Sequence, residues 1–259
     1  MIKIAVLPGD GIGPEIINEA LKVLKSVSLK IKQEFDFKFY DVGAVAIEKY
    51  QNPLPENTLK GCKESDAILF GAIGHPKFDN NPKLKIRPEQ GLLKLRKELG
   101  LFANLRPVKS YKEILSLSPI KQEIIDGVDM LIIRELTGGL YFGDKKTNNN
   151  ISTDICTYSV SEIERVTNVA IEYAKKRRNK ITLIDKANVL ETSRLWRKTV
   201  QDISVKHPEI ELDYMFVDNA AMQIILNPKQ FDVILTENLF GDIISVSYTH
   251  LTLPTSDLV

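Results

Sequence analysis

Apolar residues along this chain fall into two alternating periods, short continuous runs and stretches spaced three or four apart. Residues 2–7 form an apolar run closed by Pro8-Gly9. Over residues 14–31, Ile16, Ile17, Ala20, Leu21 and Leu24 recur at helical spacing, which predicts strand, loop and helix. Further strands are predicted at 35–42 and 66–73, with a helical segment and the turn Asn52-Pro53-Leu54-Pro55 between them. A helix at about 90–99, strands near 101–108 and 128–135 and a Gly138-Gly139 turn come next. Residues 161–178 predict an amphipathic helix with Ser161 as N-cap and Glu162 and Glu164 opposing the dipole of its first turn. The rhythm continues through 181–185, 190–203, 212–217, 220–226 and 231–235. Such alternation predicts an α/β fold around a largely parallel sheet covered on both faces.

Two stretches break the rhythm. Residues 141–158 are polar, Asn-rich and β-prone at their ends, so they read either as a protruding hairpin able to pair with its own copy across a dimer axis or as a plain surface loop. From Val246 onward the chain turns β-branched, polar and interrupted by Pro254, so the helical pattern is expected to end there.

The 259 residues, 43% apolar and 27% charged, suit one large or two modest globular domains. A net charge of +1 built from intermixed signs implies no general attraction to nucleic acid or anionic membrane. No stretch approaches the roughly 20 apolar residues of a membrane span, and the opening apolar run is too short for a signal-peptide core, so a cytoplasmic location is expected. Cys62 and Cys156 have no metal or redox spacing and read as reduced thiols. His75, His207 and His250 do not cluster, which argues against a zinc centre or a histidine triad.

Candidate chemistry sits at element ends. Gly9-Asp10-Gly11-Ile12-Gly13-Pro14-Glu15 occupies a strand-to-helix turn, where phosphates often meet free backbone N–H groups. A dinucleotide fingerprint needs glycine where Pro14 stands, and the phosphate loop needs an absent Lys, so tight-turn and ligand-facing uses both stay open. Arg96, Arg106 and Arg134 suit capture of a small di- or tricarboxylate, against the alternative of surface ion pairs. Asp218 and Asp242 each follow a strand and offer hard oxygen ligands for Mg²⁺ or Mn²⁺, with helix capping as the other reading of Asp218. In Thr236-Glu237-Asn238-Leu239-Phe240-Gly241-Asp242 a second carboxylate one helical turn after Asp242 would complete a metal site, yet position 246 is Val. Lys186 and Tyr141 are candidate proton carriers whose pKa values a nearby Arg and cation would lower.

Taken in order, residues 9–15, 92–107, Arg134-Glu135-Leu136-Thr137-Gly138-Gly139-Leu140-Tyr141-Phe142-Gly143, Asp185-Lys186-Ala187-Asn188-Val189, Val217-Asp218 and 236–242 resemble the β-decarboxylating dehydrogenases of 2-hydroxy acids. Arg87-Pro88-Glu89-Gln90-Gly91-Leu92-Leu93 is similar to the isopropylmalate branch, whose apolar residues, Leu92 among them, accommodate an isopropyl group; isocitrate and tartrate oxidation are the neighbouring alternatives. The resemblance implies a two-domain fold with a shared mixed sheet, not a Rossmann domain, divided into residues 1–101 and 102–245, with a dimer arm near 141–158. It implies oxidative decarboxylation with NAD and Mg²⁺ or Mn²⁺ in leucine biosynthesis, by a homodimer acting on a 2-hydroxy dicarboxylate. Arg96, Arg106 and Arg134 would hold carboxylates, and Asp242 and the neighbouring subunit's copy of Asp218 the metal. Lys186 and Tyr141 would manage protons, and Ile12, Pro76, Glu89 and Asn188 would lie near the nicotinamide. Residues 246–259 match no family pattern, so the chain is expected to be cut short and joined to unrelated sequence, binding NAD poorly. A non-catalytic dimerisation or anion-binding module is the rival expectation.

Overall fold

The computed structural model describes residues 1–79 and 84–252, with side chains as far as Val246; the expectation for 253–259 lies outside the described residues. The chain divides after Gly100 into two compact units.

In the first unit the elements run β1 (Ile2–Gly9), α1 (Gly13–Ile31), β2 (Phe35–Phe39), α2 (Ala44–Tyr50), α3 (Glu56–Lys63), β3 (Ala67–Ala72), α4 (Pro76–Asp79) and α5 (Pro88–Glu98). The three strands form a parallel sheet in the order β2-β1-β3. β1 lies in the middle because its whole run is apolar. Ala5 and Leu7 pack with Val42, Leu54, Cys62 and Leu95 on one face, while Ile4 and Val6 pack with Ile17 and Leu21 of α1 on the other.

In the second unit come β4 (Ala103–Lys109), α6 (Gln122–Ile125), β5 (Asp129–Glu135), β6 (Lys145–Asn148), β7 (Ile151–Asp154), α7 (Val160–Lys175), β8 (Lys180–Asp185), α8 (Glu191–Ser204), β9 (Glu211–Phe216), α9 (Val217–Leu226), β10 (Val233–Thr236) and α10 (Asn238–Thr252). Five strands pair in the order β4-β5-β10-β8-β9, all parallel except β4 against β5. Where the resemblance implies one sheet shared between domains, the described strands thus pair as separate three- and five-stranded sheets and a two-stranded arm. Successive residues of the central strands point to opposite faces, and both faces are covered. Leu131, Ile133, Ile181, Leu183, Val233 and Leu235 meet α7 and α8; Met130, Ile132, Ile184 and Ile234 meet α9, α10 and Phe231. Burial of each such side chain contributes about 1.5–3 kcal/mol.

Two local expectations are corrected and one is met. Helix α7 starts at Val160 under Ser159, whose hydroxyl accepts from the Glu162 N–H while the Glu162 carboxylate accepts from the Ser159 N–H at 2.8 Å, so Ser159, not Ser161, is the cap. Residues 145–154 form the expected hairpin, antiparallel and exposed throughout. Helix α10 does not stop at Val246 but continues to Thr252, because buried Ile244 and Ser245 anchor its first two turns and elongation from a packed nucleus outweighs the weak preferences of the β-branched residues that follow.

Polar groups are buried at both ends of the large sheet. At the amino-terminal end, fully buried Asp232 accepts from Arg177 Nε and the Arg178 N–H, both at 2.8 Å. At the carboxyl-terminal end Asp185 takes a two-pronged bond from Arg197, Glu135 accepts the Thr137 and Gly138 N–H groups, and Glu237 accepts from Ser193 Oγ at 2.9 Å. Desolvation, reinforced by the charges of Asp185 and Glu135 and opposed by the Ser193 hydrogen bond, pushes Glu237 up to about 7. Its folded-state pKa therefore exceeds its unfolded value of 4.5. The resulting stabilisation is complete below that lower value and is lost as pH rises through about 7.

Two outcomes are expected. Thermal melts between pH 5 and 8 of Glu237→Gln should show a flatter pH dependence than the parent, with the variant relatively more stable at pH 8. Trp196 is buried edge-on to Tyr158, with centroids 5.4 Å apart, and among the described residues its Nε1 finds no hydrogen-bond partner. Urea unfolding should therefore show a loss of about 3–5 kcal/mol for Trp196→Ala and a much smaller one for Trp196→Phe.

Candidate active site

The parallel strands of the second unit end along one edge, with Arg134, Thr236 and Ile184 in register across β5, β10 and β8. Open α/β sheets bind ligands outside this carboxyl edge. β4 runs the other way and sets Asn104 opposite Arg134 and Arg106 opposite Ile132, so two arginines from neighbouring strands reach the same place.

Arg134 is 2% exposed. Its Nε and Nη2 donate to Asn238 Oδ1 at 3.1 and 2.7 Å, and its Nη1 donates to Asp242 Oδ1. Burial pulls the guanidinium pKa down, and the Asp242 charge works against that pull. Arg106 lies beside it, with Nε on Asn104 Oδ1 at 2.6 Å, Nη1 on Ser245 Oγ and Nη2 3.4 Å from Asp242 Oδ1. The other oxygen of Asp242 accepts the Tyr141 phenol at 2.8 Å, and the Arg134 guanidinium sits 5.5 Å from the Tyr141 ring centroid. One carboxylate at the start of α10, its side chain 35% exposed, thus gathers two guanidinium groups and a phenol.

This arrangement changes two sequence expectations. Tyr141 has its pKa raised, not lowered, by burial and then by its hydrogen bond to anionic Asp242, so in the ligand-free chain it is a firmly protonated donor. The Nε–Nη2 edge of Arg134 is taken by Asn238 and its Nη1 by Asp242, so a ligand would reach this guanidinium at the Nη1 end in competition with Asp242.

Lys186, just past β8, donates to Asp218 Oδ2 at 2.8 Å, and its Nζ lies 5.7 Å from the Phe216 ring centroid. Asp218 stands in the first turn of α9 behind Phe216 and does not act as the cap; the Lys186 hydrogen bond holds its carboxyl below the usual range. Asp218 and Asp242 therefore have different partners in this chain. Among the described residues no three His, Cys, Asp or Glu side chains stand close enough to hold a metal ion. Val246, one turn beyond Asp242, adds an apolar side chain where a further carboxylate was sought. Asn188 is exposed in the loop after β8.

In the first unit the glycine-rich turn proves to be structural. A Cβ on Gly9 would lie 1.9 Å from the Ala72 carbonyl oxygen, and one on Gly13 2.1 Å from that of Pro8. Buried Asp10 accepts from the Ala44 and Gly74 N–H groups at 2.8 and 3.1 Å and from the Val45 N–H at 3.1 Å. This carboxylate thereby ties the turn to the start of α2 and to the segment after β3. Ile12 is exposed next to this turn, and Pro76 opens α4. On α5, Glu89, Leu92 and Arg96 follow at three- and four-residue spacing and share one face, with Leu92 and Arg96 partly buried.

Several contributors were not singled out from sequence. Asn238 and Glu237 lie within a motif quoted for Asp242, and the motif itself was their only signal. Asn104 and Ser245 brace Arg106, and Tyr158 accepts the Asn238 N–H at 3.0 Å; nothing in their spacing marks these roles.

A profile of the isocitrate/isopropylmalate dehydrogenase family matches residues 3–252. The chain is 53% identical over 243 residues to the 3-isopropylmalate dehydrogenase of Bacteroides fragilis (strain YCH46), covering 94% of this chain and 69% of that protein. It is 51% identical over 256 residues to the Bacillus subtilis (strain 168) 3-isopropylmalate dehydrogenase, covering 96% of this chain and 70% of that protein. The crystal structure of isocitrate dehydrogenase from Methylococcus capsulatus superposes with a TM-score of 0.84 at 31% identity, over 97% of this chain and 71% of the other. With its strand-end cluster of arginines, tyrosine and aspartate, the chain belongs to the isocitrate/isopropylmalate dehydrogenase family.

Proposed function

We propose that this chain carries out the 3-isopropylmalate dehydrogenase reaction of leucine biosynthesis, the oxidation of 3-isopropylmalate at C2 coupled to loss of its β-carboxylate, giving 4-methyl-2-oxopentanoate. The observation that carries the reading is the convergence of Arg106, Arg134 and Tyr141 on Asp242. Two fixed cations beside a proton donor suit a dianionic hydroxy acid that must lose CO₂ and then gain a proton at carbon. The names of relatives at about half identity favour isopropylmalate over isocitrate, and Leu92 beside Arg96 on α5 supplies apolar surface for an isopropyl group.

Asp242 is the chain's own candidate ligand for Mg²⁺ or Mn²⁺, since carboxylate oxygens match such cations in hardness. Among the described residues no three such groups meet in one chain, which supports the reading that Asp218 of a second subunit joins it. When bound, the cation supplies positive charge at the C2 oxygen, and NAD⁺ supplies the hydride acceptor. The chain does the rest. Arg106 and Arg134 hold the carboxylates and fix C2 and C3, Arg134 through its Nη1 end. Lys186, paired with Asp218 at 2.8 Å, comes to the site with the same subunit's Asp218 and, in its neutral form, takes the C2 hydroxyl proton. As CO₂ departs from C3, the Tyr141 O–H delivers the proton that converts the enol form to the keto acid.

Purified protein with Mg²⁺, NAD⁺ and 3-isopropylmalate should form NADH faster than with isocitrate or tartrate; equal or preferential use of either would overturn the substrate assignment. Tyr141→Phe should lower kcat about 10²-fold with KM changed only a few-fold, because the lost group acts on the enol and not on the ground state. Asp242→Asn should cost at least about 10²-fold in kcat/KM and also lower the melting temperature, since two guanidinium groups lose their counter-charge.

A further inference from the structure

Asn238 opens α10 with none of its surface exposed. Its Oδ1 accepts from both Nε and Nη2 of Arg134, its Nδ2 donates to the Gly138 carbonyl at 3.2 Å, and its backbone N–H donates to Tyr158 Oη at 3.0 Å. The two side-chain arms make opposite demands, one for an acceptor and one for a donor. Only an amide meets both from one rigid plane of this length; an aspartate would set an oxygen against the Gly138 carbonyl, and an alanine would leave both partners bare.

Each arm reaches a group with work to do. A guanidinium carries five N–H donors in a fixed plane, and holding Nε and Nη2 turns Nη1 toward Asp242 and the site. The Gly138 carbonyl precedes the short helical turn Gly139–Tyr141, and the Gly138 N–H is held from the other side by Glu135 Oε2 at 2.8 Å. A Cβ on Gly138 or Gly139 would lie 2.7 or 2.3 Å from Tyr158 atoms, and one on Gly241 2.7 Å from Arg134 Cγ, so neither the turn nor the arginine stem has room to shift. Asn238 is hydrogen-bonded to both the Arg134 guanidinium and the Gly138 carbonyl.

We propose that Asn238 is a positioning residue that sets the edge Arg134 presents to substrate and, through the Gly138 carbonyl, the place of the Tyr141 phenol. This rests on the functional reading of Arg134 and Tyr141 given above. The test is a double-mutant cycle on the full chain with Mg²⁺, NAD⁺ and 3-isopropylmalate. Asn238→Ala should lower kcat about tenfold in the parent but less than twofold in Tyr141→Phe, and should raise the KM for 3-isopropylmalate about tenfold while the KM for NAD⁺ stays within twofold. An equal loss of kcat in both backgrounds, or equal damage to both KM values, would assign Asn238 a structural role only and overturn the proposal. Where Asn238→Ala gives no folded protein by circular dichroism, Asn238→Asp, near in size but without the donor arm, takes its place with the same expected pattern and the same refutation. Should the parent fail to turn over 3-isopropylmalate, the functional reading falls separately, and Asn238 is judged by calorimetric titration with L-malate. A tenfold weaker Kd in the variant supports the positioning role; an unchanged Kd, or no binding by the parent, ends it.

Discussion

A guanidinium charge at the end of a buried strand is the constraint around which this site is organised. Transfer of an isolated cation into a protein interior costs several kcal/mol unless partners replace its water. Arg134 is nearly sealed, and its Nε, Nη1 and Nη2 are all met by side chains of α10: Asn238 on one edge, Asp242 on the other. The first turns of α10 are therefore fixed by the arginine as much as by Ile244 beneath them. Gly241 is required between the two partners because a side chain there would strike the arginine stem.

The same pairing gives Asp242 two tasks. In the ligand-free chain it balances Arg134 and Arg106 and accepts from Tyr141, so the charges of the cluster are matched from within. In the proposed reaction a cation would claim that carboxylate, and the freed guanidinium ends would turn to the substrate's own carboxylates. Cation and dianion would then each relieve the charge that the other leaves unbalanced.

What could be read from residues alone follows physical lines. The parallel core was legible because strands buried on both faces need unbroken apolar runs, as at 130–133 and 233–235. Arg106, Arg134, Tyr141 and Asp242 were proposed because each lies in a motif of definite order, although Arg106 falls in the middle of β4. The cap of α7 was not, because Ser159 with Glu162 and Ser161 with Glu164 are overlapping versions of one signal, and the choice between them is made by packing. The extent of α10 was missed because β-branched residues argue against a helix only weakly once its first turns are pinned. Which edge of Arg134 is occupied, and that Lys186 holds Asp218, are facts of side-chain direction that no spacing carries.

The chain contains a single tryptophan. Trp196 sits edge-on against Tyr158, whose hydroxyl meets the first amide of α10. Its indole is thus a built-in optical probe three contacts from Arg134, in a sealed setting where emission should be blue and insensitive to external quenchers. Any ligand that draws α10 away from the strand ends would be seen as a change in that one residue's fluorescence, without a label.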